Sequence, residues 1–217
     1  MGIVRAVRNL PIFLIRLIPI RGLPKADAPS MSAAQRKLIL DHLETSSRNF
    51  LDRIGKLSDA QWQWKAAPDK WSIAEVAEHI TITERLLLNK VQEALGNPVQ
   101  PDWKRKTAGK TQFLLRVVAP RRGRARAPKE VRPSAGWSKD EAVRQFGETR
   151  AETVRFTQET QAEMNACIAR HPFPVFGDLS AFQWLLYIPT HLERHVRQID
   201  EIRSEWEHCS HAVSASH

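Results

Sequence analysis

Cysteine is scarce in this chain, with only Cys167 and Cys209 among 217 residues. The two do not form a CxxC pair, which argues against a disulfide framework and against a structural zinc knuckle, and which is typical of a protein from a reducing compartment. Long apolar runs are also missing. The most apolar stretch, LPIFLIRLIPI near the start, is interrupted by Arg16 and is too short to span a bilayer. The sequence therefore excludes a disulfide scaffold and predicts no transmembrane helix.

The first 25 residues contain five Lys or Arg and no acidic residue. Their basic and apolar character is faintly similar to a signal peptide, but no A-x-A cleavage site follows. We predict that residues 1–30 form a loose extension, and that residues 1–25 make at most a weak contact with a membrane surface. The folded domain is then expected over residues 31–208, with a disordered tail at residues 209–217.

The net charge of +9 is concentrated in one segment, from Asn97 to Trp137. This segment holds eleven Lys or Arg against two acidic residues, and it shows little helical apolar periodicity. We predict a long basic connection that contributes little to the core. Nonspecific binding of nucleic acid through PRRGRARAPK is an alternative function. However, aromatic residues are not interleaved with the arginines, so nucleic acid is the less favoured partner.

From residue 31 onward the apolar periodicity is helical, and no strand is predicted. Ser72 with Glu75, and Ser138 with Glu141, are capping boxes that mark two helix starts. The predicted long helices cover residues 32–54, 72–95, 138–170 and 180–207. We therefore predict an all-α fold, a four-helix bundle with the basic connection between its second and third helices.

Two histidines stand four residues apart in HLERHVRQIDEI, on the predicted fourth helix. Residues at this spacing share one helix face, so the imidazoles of His191 and His195 can point at the same place. His79 lies on the inward side of the second predicted helix. Three imidazoles from two facing helices form a candidate site for a divalent metal such as zinc, nickel, copper or iron. Three protein ligands also leave a position for water or substrate, as in catalytic zinc sites.

The sharper metal motifs are absent. A zincin needs H-E-x-x-H, whereas Glu193 stands two residues after His191 and points elsewhere on the helix. A di-iron bundle needs two Glu-x-x-His pairs, and only Glu205 with His208 fits. HCSH at residues 208–211 is a rival cluster in a polar tail. An ordinary pair of helix residues remains the alternative to a metal site.

Three segments together resemble the DinB/YfiT-like superfamily: DKWSIAEVAEHITITERLLL, APKEVRPSAGWS and FQWLLYIPTHLERHVRQIDEI. The resemblance implies a four-helix bundle that holds a divalent metal through His79, His191 and His195. Members with known activity are thiol-dependent transferases or isomerases, including mycothiol-dependent maleylpyruvate isomerase and bacillithiol S-transferases. The family resemblance also implies a cytoplasmic location and, often, a homodimer.

These observations favour a metal-dependent enzyme that uses a small thiol, an S-transferase or isomerase, with zinc or nickel as the expected metal. A helical scaffold without activity is the remaining alternative. Tyr187 and Trp184 precede His191 on nearly the same face, where they could line a pocket or simply pack in the core. The sequence does not single out a general base, because several carboxylates lie near His79: Glu75, Glu78 and Glu84.

Overall fold

The computed structural model describes residues 20, 22–121, 126–134 and 136–214, with side chains described as far as residue 210. Its α-helices in chain order are α1 (Ala33–Ile54), α2 (Asp59–Gln63), α3 (Ile73–Leu95), α4 (Trp103–Lys106), α5 (Lys110–Phe113), α6 (Lys139–Glu159) and α7 (Ala181–Ser214). A π-helical turn covers Leu114–Val118, and a 3-10 turn covers Lys129–Val131. The two short strands are β1 (Ile168–Arg170) and β2 (Asp178–Ser180).

The four long helices, α1, α3, α6 and α7, are neighbours in a ring. Helix α7 packs against α1 and α3, and α6 packs against the same two helices from the other side. The predicted capping box at Ser72 forms, since the serine accepts a hydrogen bond from the Glu75 amide and the Glu75 side chain accepts one from the serine amide. At Ser138 only the bond from the Glu141 amide to the serine forms, and a further capping box joins Ser32 and Gln35 at the start of α1. The prediction of an all-α fold is confirmed.

The third predicted helix is too long. Helix α6 ends at Glu159, and β1 and β2 pair as an antiparallel hairpin with Ile168 opposite Ser180. The prediction that no strand occurs is therefore wrong for this hairpin. Residues 164–169 are buried at every position, and a short run that is buried on all sides shows no period by which a strand differs from a helix. The turn at Gly177 has a positive φ of 61°, which suits glycine.

The basic connection contributes to the core, contrary to our prediction. Its short helical turns bury Trp103, Leu114, Val118 and Val131, each with less than a tenth of its surface exposed. The apolar residues are spread over several short turns. Hydrophobic periodicity measured over a long stretch of sequence therefore does not reveal them, although each short turn places one or two of them in the core. Removal of this segment would consequently open the core.

The described residues just before α1 are tied to the rest of the fold. The Asn165 side-chain amide donates to the carbonyls of Ala28 and Ser30, at 3.0 and 2.9 Å, and its backbone amide donates to Pro29 at 2.8 Å. The loose extension predicted for residues 1–30 falls mostly on residues 1–19 and 21, outside the described residues. At the other end, α7 continues to Ser214, so residues 209–214 of the expected tail are helical. Among the described helices, none is both long and apolar enough to cross a membrane.

Candidate metal centre

The three predicted ligands come together between α3 and α7. One ring nitrogen from each of His79, His191 and His195 lies within 4.8 Å of the other two. The Nε2 atoms of His191 and His195 are 3.1 Å apart. The ring centre of His79 is 5.2 Å from that of His191 and 4.7 Å from that of His195. No other group of three His, Cys, Asp or Glu side chains converges in this way among the described residues.

The local sequence explains this convergence. His79 lies on the buried face of α3 between Val76 and Ile80, and α3 packs closely against α7. On α7 the two histidines are one turn apart, and the buried Leu192 and Val196 beside them mark the side of the helix that faces the core. His79 and His195 are buried, whereas His191 is half-buried. His191 is thus the most exposed of the three histidines.

Two of the imidazoles are oriented by hydrogen bonds through their other nitrogen. His79 Nδ1 donates to the carbonyl of Val131 at 2.7 Å, and His195 Nδ1 donates to Gln198 Oε1 at 2.9 Å. A proton held on Nδ1 leaves the Nε2 lone pair free to bind a cation. Histidines that bind metals generally donate the N–H of their other ring nitrogen to a nearby acceptor in this way. The donor set therefore fits a divalent metal.

The electrostatics of the cluster keep the imidazoles neutral. Burial is the largest cause that lowers the pKa of His79, and the Arg194 charge lowers it further. Burial, the neighbouring histidines and Arg194 hold the pKa values of His191 and His195 well below their usual range. Because only a neutral imidazole binds a metal, the cluster is in its metal-binding form at neutral pH.

A family model described as the DinB superfamily matches residues 42–199, about three quarters of the chain and a span that includes all three histidines. The chain belongs to the DinB superfamily. The uncharacterised protein YuaE of Bacillus subtilis (strain 168) is 25% identical over 156 residues, which cover 70% of this chain and 88% of that protein. The predicted family resemblance is thereby confirmed.

Aromatic side chains border the cluster of this DinB-superfamily chain on two sides. The Trp71 ring centre lies 4.9 Å from that of His79, and the Tyr187 ring meets His191 edge-on at 5.9 Å. Burial raises the pKa of Tyr187 to about 12, so its phenol keeps its proton. Trp184 is different: it is buried, stacks on His171 and donates its indole N–H to the carbonyl of Ala169. Tyr187 is thus a candidate pocket residue, and Trp184 packs in the core.

The three glutamates near His79 in sequence all have structural roles. Glu75 closes the α3 capping box and pairs with Lys65, whereas Glu84 forms a buried ion pair with Arg150. Glu78 accepts hydrogen bonds from the backbone amides of Ser134 and Gly136, at 2.6 and 3.2 Å. Through these bonds Glu78 holds the loop that follows Val131, the same loop whose carbonyl orients His79. The structure singles out none of these carboxylates as a general base.

The rival motifs lie elsewhere. His208 is exposed and bonds the carbonyl of Ser204 one turn earlier on α7, while the side chain of His211 lies outside the described residues. Glu193, the misplaced glutamate of the zincin comparison, pairs with His42 of α1 at 2.8 Å.

Two groups that orient the site, Gln198 and the Val131 carbonyl, were not among the residues predicted from the sequence. The spacing of Gln198 three residues after His195 was a usable signal. A backbone carbonyl from a distant loop leaves no signal in the sequence.

Proposed function

We propose that this protein is a divalent-metal-dependent enzyme that holds its cation through the Nε2 atoms of His79, His191 and His195. The observation that carries the proposal is the orientation of the buried imidazoles, two of which present Nε2 to the centre because their Nδ1 protons are bound by the chain itself. Histidines that merely pack in a core have no need to converge within 4.8 Å. Zinc and nickel suit three neutral imidazoles best.

A divalent cation at such a site lowers the pKa of a thiol or water that binds it and polarises an adjacent carbonyl. The charge near the cluster favours an anionic ligand at the remaining coordination position. After burial, the Arg194 charge also lowers the pKa of all three imidazoles, and it opposes the rise in the pKa of Tyr187, so the same charge favours an anion at the cluster. Tyr187, protonated and beside His191, can donate a hydrogen bond to that ligand or to its reaction partner.

We propose further that the ligand is a small thiol and the reaction an S-transfer or a thiol-dependent isomerisation. Membership of the DinB superfamily supports this choice, because the family resemblance implies such reactions. The Arg194 charge supports it physically, since a thiolate carries one negative charge and needs only one coordination position besides the three imidazoles. The role of the protein would be to keep the thiol ionised and to align an electrophile against it.

Metal content is the first test. Full-length protein purified without added metal should contain close to one divalent ion per chain by elemental analysis. Each of His79→Ala, His191→Ala and His195→Ala should lose that ion, because two imidazoles bind a cation weakly against water. His171→Asn is the matched control, since His171 is equally buried but lies outside the cluster. Full occupancy in the His79→Ala protein would overturn the three-ligand site.

Thiol chemistry is the second test. A panel of low-molecular-weight thiols would be incubated with an aryl halide electrophile, and the loss of free thiol would be followed with and without protein. The proposal expects at least one thiol to be consumed faster with wild type than with His191→Ala or His195→Ala, and expects His208→Ala to match wild type. A metal-loaded protein that accelerates no thiol reaction would remove the thiol from the proposal and leave the metal site standing. A metal-free wild type would favour the inactive scaffold.

A further inference from the structure

One oxygen beside the metal centre accepts two hydrogen bonds. Gln198 Oε1 lies 2.9 Å from Nδ1 of His195 and 2.6 Å from Nη1 of Arg121. Gln198 is on α7, whereas Arg121 follows the π-helical turn of the basic connection. A second atom of the same guanidinium, Nε, is 3.2 Å from Glu201 one turn further along α7. The Arg121 side chain is only 14% exposed, so these contacts are largely shielded from water.

The chemistry of the two partners decides which way the Gln198 amide faces. A carboxamide has an accepting oxygen at one end and a donating NH2 at the other, and it can rotate to present either. A guanidinium has donors only. The atom that meets Arg121 must therefore be the oxygen. Because the same atom meets His195, Nδ1 of that ring must carry the proton, and the Nε2 lone pair is left to face the other ligands.

We infer that Arg121 is a positioning residue of the metal centre: by holding the Gln198 oxygen toward His195, it selects the ring tautomer that can bind a cation. This inference rests on the proposed metal-dependent function. It concerns His195 and not His79, because the partner of His79 is a backbone carbonyl, which can only accept. A glutamine has no such fixed polarity and requires a third group to set it.

The backbone conformation of Arg121 is one that the contacts of its side chain help to maintain. Its φ is +57°, in the left-handed region that residues other than glycine and asparagine rarely adopt. The side chain is anchored at both ends of its guanidinium, to Gln198 and Glu201. Arg121 belongs to the arginine-rich stretch PRRGRARAPK, and its side chain is held against α7 by Gln198 and Glu201.

The test uses Arg121→Asn in the full-length protein, because asparagine tolerates the left-handed backbone but is too short to reach Gln198. Protein labelled with ¹⁵N-histidine is stripped of metal and examined above the usual imidazole titration range. Long-range ¹H–¹⁵N correlation spectra then report whether Nδ1 or Nε2 of His195 carries the proton. Zinc affinity is measured separately by competition with a chromophoric chelator. Arg144→Asn is the charge-matched control, because Arg144 pairs only with glutamates of its own helix in the described contacts.

Wild type should show His195 protonated on Nδ1. Arg121→Asn should shift part or all of the population to the Nε2-protonated form and weaken zinc binding about 10- to 100-fold, the effect of losing an outer hydrogen bond to a metal ligand. Arg144→Asn should change neither. Adding Gln198→Glu to Arg121→Asn should restore the Nδ1 proton and most of the affinity, because a carboxylate can only accept. A purely structural role for Arg121 would not be rescued in this way.

Unchanged tautomer and unchanged zinc affinity in folded Arg121→Asn would overturn the inference. If that variant does not fold, Gln198→Met removes the same acceptor without touching the arginine, and unaltered tautomer and affinity there would overturn it equally. The proposed function fails separately. A wild type that binds no zinc, yet shows the tautomer shift in Arg121→Asn, would refute the metal site while the positioning role of Arg121 stands.

Discussion

Glu84 is the carboxylate near His79 for which a structural role and a catalytic role predict the most different outcomes. It lies five residues after His79 on α3 and is one of the three nearby carboxylates among which the sequence singles out no general base. The structure buries it to 3% exposure and joins both of its oxygens to Arg150 of α6, at 2.9 and 2.7 Å. Thr153 adds a third hydrogen bond at 2.8 Å. We therefore predict that Glu84→Leu loses stability and leaves the metal site intact.

The expected loss follows from what the change leaves behind. The Arg150 side chain is 7% exposed, and its guanidinium would lose two charge-assisted hydrogen bonds. It would keep only neutral acceptors, the Leu43 carbonyl and the hydroxyls of Ser46 and Ser47. Hydrogen bonds to charged groups contribute about 1.5–3 kcal/mol each. Two of them give a loss in line with the roughly 3–5 kcal/mol measured when one partner of a buried pair is removed. Most of this free energy is the penalty of an unpaired buried cation.

Urea unfolding followed by circular dichroism measures the loss, and elemental analysis measures the metal. Glu84→Leu should lower the free energy of unfolding by about 3–5 kcal/mol. The double variant Glu84→Leu/Arg150→Met should recover most of that loss, since no charge is then left unpaired. A folded Glu84→Leu protein that keeps wild-type stability but loses its metal would refute the reasoning and place Glu84 in the site.

Three further predictions concern acid, the chain start and the metal. Burial lowers the pKa of His171 from 6.5 to about 4, so as pH falls this imidazole is protonated in the unfolded chain before it is protonated in the native protein. With both proteins metal-free, wild type should therefore lose about 2 kcal/mol more stability than His171→Asn between about pH 7.5 and about pH 5 in urea melts. A chain lacking residues 1–30 should melt at a lower temperature than one lacking residues 1–24, because Asn165 loses its backbone acceptors in that segment; equal melting temperatures would contradict this. Chelation should lower the melting temperature of wild type but not that of His79→Ala, because only a bound cation adds stability to the native state by mass action.

The parts of the fold that sequence reasoning predicted well are those with a long, regular pattern. Helix α3 begins at the capping box of Ser72 and ends before Gly96, as its periodicity and flanking residues indicate. The three histidines were found for the same reason, since each lies on a face that repeats over several turns. Spacing on a helix converts directly into direction, so a ligand pair four residues apart is readable without a structure.

The features that were not predicted from the sequence depend on contacts between residues far apart in the chain. Residues 164–169 are apolar enough to fit a helix, and only their position between α3, α4 and β2 decides in favour of a loop and strand. The burial of Leu114 and Val118 depends on α7 being alongside, which the short turns do not reveal by themselves. The orientation of the Gln198 side-chain amide likewise depends on Arg121, which is 77 residues away in the chain. Sequence patterns report local direction, whereas these features are decided by what packs opposite.

The division of the ligands between α7 and α3 has a consequence for the order of events during folding. His191 and His195 are one turn apart, so a nascent α7 already presents a two-imidazole chelate, whereas His79 and the Val131 carbonyl that orients it are 52 residues apart. Native contacts between residues far apart in the chain generally form more slowly than local ones. A cation that arrives early would meet only the weak pair on α7, and such binding to unfolded chains subtracts from native-state stabilisation. Tight loading therefore becomes available only after the long-range contacts close, which makes high metal affinity a reporter of completed topology.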